Sequence, residues 1–226
     1  MTTELIHTAW LAGAFLVLFA SGEFFLHVRK VTVELTRKWI HLGTGLLSLL
    51  FPVFLKNHWM VLVLCGSFLL ILWASLKFGW LKSINAINRK SEGALLYPVV
   101  VYTTYLVYTH YGSPLFFYLP ILLLAICDPI AALLGKKWPY GKYKAGTQYK
   151  TLMGSAGFFL SATVVCGWHF YVMSSLPPIQ ILLFSAGIAF VVTLAEAFSR
   201  NGFDNLLIPY AALACLAGMD QWMIMV

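Results

Sequence analysis

Charge is scarce in this chain. Only 10% of its 226 residues are Asp, Glu, Lys or Arg, and 61% are hydrophobic. An ordinary soluble domain carries about 25% charged residues, so a water-soluble globular fold is excluded. Long polar tracts are also missing. No part of the chain has the material for a separate soluble unit, and residues 1–226 read as one integral-membrane domain. Cysteine is confined to Cys65, Cys127, Cys166 and Cys215, all inside apolar stretches and none in a Cys-x-x-Cys spacing. Neither a disulfide framework nor a metal knuckle is expected from them. The first residues lack a basic cluster and a small-residue cleavage site, so a removable signal is not expected.

What the chain has instead is a series of apolar runs of about 20 residues, each enough to cross roughly 30 Å of hydrocarbon. They lie near 8–27, 39–55, 58–76, 94–110, 114–134, 152–173, 179–199 and 205–224. The expected fold is an all-α polytopic membrane protein of about eight transmembrane helices, seven if the short fourth or the Pro209-containing eighth is not counted. Fourteen of the fifteen Lys and Arg residues fall between spans 1 and 2, 3 and 4, 5 and 6, or 7 and 8, and only Lys56 falls on the other side. Basic loops are cytoplasmic. This predicts a multi-pass protein (of the inner membrane, in a bacterium) with both termini outside. The net charge of +7 is thereby assigned to topology and phosphate rather than nucleic acid.

Acids are fewer still: Glu4, Glu23, Glu34, Glu92, Asp128, Glu196, Asp204 and Asp220. Acids at membrane depth are costly and usually face a polar cavity or a partner. Glu34, Glu92, Asp128, Glu196 and Asp204 all map to the cytoplasmic end of the bundle, beside most of the lysines, which predicts a metal-and-phosphate site there. Glu4 and Asp220 read as terminal polar residues. Glu23 fits either a site role or a structural hydrogen bond.

Four segments supply the site residues. In "VELTRKWIHLG", helical spacing puts Glu34, Arg37 and His41 on one face, and Glu34 and Lys38 form an i, i+4 pair. His41 is a candidate proton acceptor or phosphate contact. In "NRKSEGALLYP", Glu92 is either a first-turn helix acid or a site carboxylate, and Gly93 permits close backbone approach. In "LAEAFSRNGFDNLLIP", Glu196, Asp204 and Asn205 offer oxygen ligands suited to Mg²⁺; Glu196 has Arg200 one turn on, and Asp204 or Asn205 suits a helix cap.

The fourth segment holds Asp128, Pro129 and the basic stretch "GKKWPYGKYKAGTQYKTLMG". The proline can leave a carbonyl near Ala125 without its helical partner, and Ala131, Ala132 and Gly135 make a small face on the aspartate's side. Gly141 to Gly146 imitates half of a P-loop, but Thr-Gln follows where Lys-Ser/Thr is required, so this is no Walker A motif. Gly135, Lys136, Gly141, Lys142, Lys144, Lys150, Thr151 and Gly154, with Arg37 and Lys38 of the first segment, are the candidate nucleotide and phosphate contacts. Glycine brings amides close and lysine brings charge, and the start of span 6 offers helix amides to an anion.

Together "ELTRKWIHLGTG", "CDPIAALLGKKWPYG" followed by "KTLMGSAG", and "AEAFSRNGFDNLLIP" resemble the phytol kinase and dolichol kinase family over roughly residues 30–210. That group phosphorylates lipid alcohols, diacylglycerol among them, at the expense of CTP. Without the long N-terminal extension of dolichol kinases, the phytol kinase branch is the closer fit. The Asp-x-x-Ala-x-x-x-Gly and Lys-Thr-x-x-Gly parts are also similar to phosphatidate cytidylyltransferases, but "TQYKT" lacks the Ser-Pro of that pattern. The resemblance implies a CTP-dependent, Mg²⁺-assisted kinase of a phytol-, polyprenol- or dolichol-like alcohol or diacylglycerol. Its partners would be that alcohol, a nucleoside triphosphate and membrane lipids. His41, Asp128, Lys150 and Asp204 would carry catalysis. Cytidylyl transfer to phosphatidate is the alternative within enzymes, and transport of a lipid phosphate or anion the alternative outside them.

Overall fold

Apolar runs this long can satisfy their backbone in a membrane only as helices, and the computed structural model is a helical bundle. It describes residues 2–85, 93–146 and 148–224, with side chains described as far as 219. The helices are α1 (Thr2–His27), α2 (Val33–Ser48), α3 (Phe51–Phe54), α4 (His58–Phe78), α5 (Lys82–Asn85), α6 (Gly93–Tyr111), α7 (Leu115–Leu122), α8 (Asp128–Lys137), α9 (Leu152–Met173), α10 (Pro178–Phe198) and α11 (Asp204–Ile224). A π-helical turn, Leu123–Cys127, joins α7 to α8. Helices therefore stand at every expected apolar run. Among the described residues, five are long and apolar enough to cross a membrane: Thr2–His27, His58–Phe78, Leu115–Lys137, Leu152–Met173 and Pro178–Phe198.

Local chemistry sets the ends. Asn57 caps α4 by accepting from Trp59 N, and Gly79, at φ 72°, closes it in the left-handed conformation. Between spans, small residues let helices touch. A Cβ on Gly22 would strike Ile40, and one on Gly43 would strike Leu18, so α1 and α2 pack at van der Waals distance. A Cβ on Gly45 would fall 2.2 Å from the Ala125 Cβ, which seats α2 against the π turn. Gly135 and Gly154 meet at the crossing of α8 and α9, where a Cβ on either would lie 3.4–3.5 Å from the other's Cα. The small face after Asp128 thus serves helix packing as well as the site.

The basic loop is not irregular. Residues Lys142–Ala145 (β1) and Gln148–Thr151 (β2) pair antiparallel, Tyr143 opposite Lys150, an element the all-α expectation did not contain. Gly146 turns the chain at φ 65°, packed against the Arg200 side chain.

Candidate functional site

Alternation along this hairpin decides which lysines reach the bundle. Cross-strand partners share a face and neighbours alternate. Tyr143, Ala145, Gln148 and Lys150 fall on the inner face, and the Tyr143 hydroxyl meets Ser155 Oγ at 2.7 Å. Burial holds the Tyr143 phenol above its ordinary pKa, an effect the Ser155 contact opposes. Lys142 and Lys144 fall on the outer face with Tyr149 and are exposed. Lys142, Lys144 and Gly141 do not line the cavity described below, whereas Lys136 and Lys150 do.

Lys150 is held deep. Its Nζ donates to Glu196 Oε1 at 2.6 Å, to Ser199 Oγ at 2.8 Å, and to the Glu196 carbonyl. Glu196 is thus taken by Lys150, while Arg200 packs on the hairpin turn.

Across the cavity, Asp128 begins α8. Its Oδ2 accepts from Lys38 Nζ at 2.6 Å, and both side chains are almost fully covered. His41 Nε2 stands 3.8 Å from the same oxygen and 2.9 Å from the Leu124 carbonyl. A carbonyl can only accept, so neutral His41 carries its proton on Nε2 and keeps a lone pair on Nδ1. Pro129 explains the open carbonyl: it has no N–H to send back along the helix. The expected position was Ala125, four residues back. Because the turn is π-helical, with i→i+5 bonding, the carbonyl lies five residues back, at Leu124.

The remaining candidates fall as follows. Lys136 forms an ion pair with Glu34 at the exposed rim. Asp204 is the first residue of α11, and its Oδ1 accepts from Asn205 N at 3.0 Å. Asn205 Nδ2 donates to Gly93 O at 2.7 Å, which ties the starts of α6 and α11 together. Thr151 caps α9, its Oγ1 accepting from Gly154 N at 3.0 Å. Leu152 N and Met153 N bond to Gly141 O and Tyr140 O. These first-turn amides are already satisfied, so the helix start offers an anion less than the sequence suggested. Glu92 lies outside the described residues. Glu23 is structural: Oε1 accepts from Ser83 N and Oγ, and Oε2 meets His27.

Arg37, Lys38, His41, Asp128, Gly135, Lys136, Lys150, Thr151, Gly154, Glu196, Asp204 and Asn205 all line one cavity of about 610 Å³. Among the described residues its charged lining is Arg37, Lys38, Lys136 and Lys150 with Glu34, Asp128, Glu196 and Asp204. Among the described residues, no three of His, Cys, Asp and Glu converge into a closed metal centre. A Mg²⁺ that arrives on phosphates needs only one or two carboxylates, and Asp128 and Asp204 both line this cavity. The cavity does not stop at the charges. It continues between α1, α2, α4 and α6, lined by Phe15, Phe19, Phe51, Leu64, Phe68 and Leu72. Sequence reading missed this half, because those residues are ordinary apolar positions of their spans.

The chain is similar to the phytol kinase of Synechocystis sp., 29% identical over 192 residues that cover 84% of this chain and 82% of that protein. No family model and no solved structure matches.

Proposed function

From the similarity to a phytol kinase we propose that the chain belongs to the phytol and dolichol kinase family and transfers the γ-phosphoryl group of CTP to the hydroxyl of a long-chain lipid alcohol. The observation that carries this reading is the single cavity with a charged end and an apolar end. A phosphoryl donor and a lipid acceptor have opposite demands, and this cavity meets both within one space.

Lys38 and Lys150, with Arg37 and Lys136 nearer the rim, hold the phosphates. Each buried lysine is paired with a carboxylate, so an incoming phosphate competes for the ammonium and releases the acid. The nucleoside triphosphate enters with an accompanying cation. Mg²⁺ would be held by Asp128 and Asp204, with Glu196 and the Asn205 amide oxygen beside them, and supplies neutralisation of charge on the phosphate oxygens. The alcohol oxygen attacks the γ-phosphorus and the bond to the β–γ bridging oxygen breaks. Nucleoside diphosphate leaves, and the hydroxyl proton passes to His41 Nδ1. Positioning and charge stabilisation are what such a transfer mainly asks of a protein.

We place the charged end on the cytoplasmic side from the distribution of Lys and Arg, with eight crossings and both termini outside. Tag accessibility at each terminus in sealed cells tests that orientation. The reaction is tested by giving purified protein, Mg²⁺ and γ-labelled CTP or ATP to a panel of lipid alcohols, diacylglycerol and phosphatidate. Label on an alcohol with CTP is expected. Label only in pyrophosphate assigns cytidylyl transfer instead. No product from any acceptor turns the reading toward transport.

A further inference from the structure

The apolar half of the cavity has an end. Phe15 of α1 packs against Phe51 of α3 and Phe68 of α4, ring centroids 6.0 and 5.0 Å apart, and Phe19 meets Phe68 edge-on at 5.6 Å. All four rings line the cavity, and their contacts join α1, α3 and α4 into an aromatic floor. Behind the floor, Leu11, Leu55 and Val61 expose no surface, and the buried Tyr105 hydroxyl is bonded to the Leu55 carbonyl. The path is filled there.

The depth of this blind end follows from the chain. His41 and Phe51 are separated by ten residues, most of them helical, a rise of about 15 Å at 1.5 Å per residue. That is about half of the ~30 Å hydrocarbon core, or one leaflet. The volume points the same way. About 610 Å³, charged end included, is in the range that encloses one small ligand, roughly 300–1,000 Å³.

Resting on the lipid-alcohol reading above, we infer that the Phe15–Phe51–Phe68 floor is a length gauge, and that the acceptor is a single-tailed alcohol about one leaflet long. A polyprenol of many units overruns the floor. Diacylglycerol brings two tails to a pocket with room for one. Cys65 lines the same apolar half, where a larger side chain would take up part of its volume.

The test uses the full chain in detergent. Geraniol, farnesol, geranylgeraniol, a long polyprenol and diacylglycerol are compared by kcat/KM for phosphorylation and, independently of turnover, by the thermal shift each produces. The native chain should favour the intermediate prenols in both readouts and discriminate against the polyprenol and diacylglycerol. Phe51→Ala should move the optimum toward longer alcohols by tenfold or more, on the order of the discrimination that methylene-sized changes give in apolar pockets. Cys65→Phe should move it toward shorter ones. Equal use of polyprenol or diacylglycerol by the native chain overturns the gauge, as do two folded variants with an unmoved profile. If no alcohol is phosphorylated, the kinase reading falls, while the thermal-shift series still supports or sinks the gauge.

Discussion

Lys150 Nζ and Glu196 Oε1 lie 2.6 Å apart in a covered wall of the cavity, one from the hairpin and one from the end of α10. The pair joins the two elements, and in the proposed reaction it also supplies the ammonium that a phosphate would need. These two roles separate on mutation. Lys150→Ala leaves a buried carboxylate alone, which costs about 3–5 kcal/mol, and it should also abolish phosphoryl transfer. Lys150→Met combined with Glu196→Gln should recover most of the thermal stability and none of the activity. Thermal unfolding and label transfer on the same samples check this. Near-normal turnover in the double variant removes the pair from the site.

Asp128→Asn should lower turnover by a factor on the order of 100 or more, the size of losing one preorganised electrostatic group, with membrane insertion intact. Lys38→Ala should act in the same direction, since Lys38 is the partner of Asp128. Label transfer together with a membrane-fraction blot decides it, and an active Asp128→Asn would dismiss the carboxylate.

Lys142 and Lys144 give the opposite expectation. Both project from the outer face of the hairpin. Replacing both with Ala should change kcat/KM by no more than about twofold, the scale of a ±0.5 kcal/mol surface substitution. A fall as deep as that of Lys150→Ala would show that the outer face also meets the nucleotide.

Two glycines should respond with opposite signs. A side chain at Gly135 meets Thr151 Oγ1 at 2.6 Å and the Gly154 backbone, so Gly135→Val should lower stability by about 1–3 kcal/mol through overpacking. Gly66, inside α4, has nothing within 4 Å of an added Cβ. Gly66→Ala should raise stability by roughly 0.5–1 kcal/mol from helix propensity. Unfolding midpoints in one detergent compare them directly.

The helices and most of the charged wall were legible in sequence for a simple reason. A polar residue in an apolar run stands out, and there are few of them. Asp128, Lys150, Glu196 and Asp204 were found that way. The pairings were not legible: Lys38 and Asp128 are 90 residues apart, and spacing along one helix cannot report them. Glu34 was expected beside Lys38, yet the fold gives it Lys136. The hairpin was hidden because lysine and glycine dominated the reading of its loop. The signal that could have found it was Tyr and Thr alternating with Lys around Gly146. The aromatic floor had no signal, since a phenylalanine that ends a pocket looks in sequence like one that faces lipid.

The wide turn at Leu123–Cys127 amounts to one surplus residue in an otherwise straight rod. Excising it would rotate everything beyond by about 100°, carrying Asp128 off the wall it shares with Lys38 and His41. The aspartate's bearing is therefore set by a count of residues, and not by which residues are counted. That segment should accept volume-conserving apolar exchanges, Ala125 excepted because it packs on Gly45, and refuse any change of length.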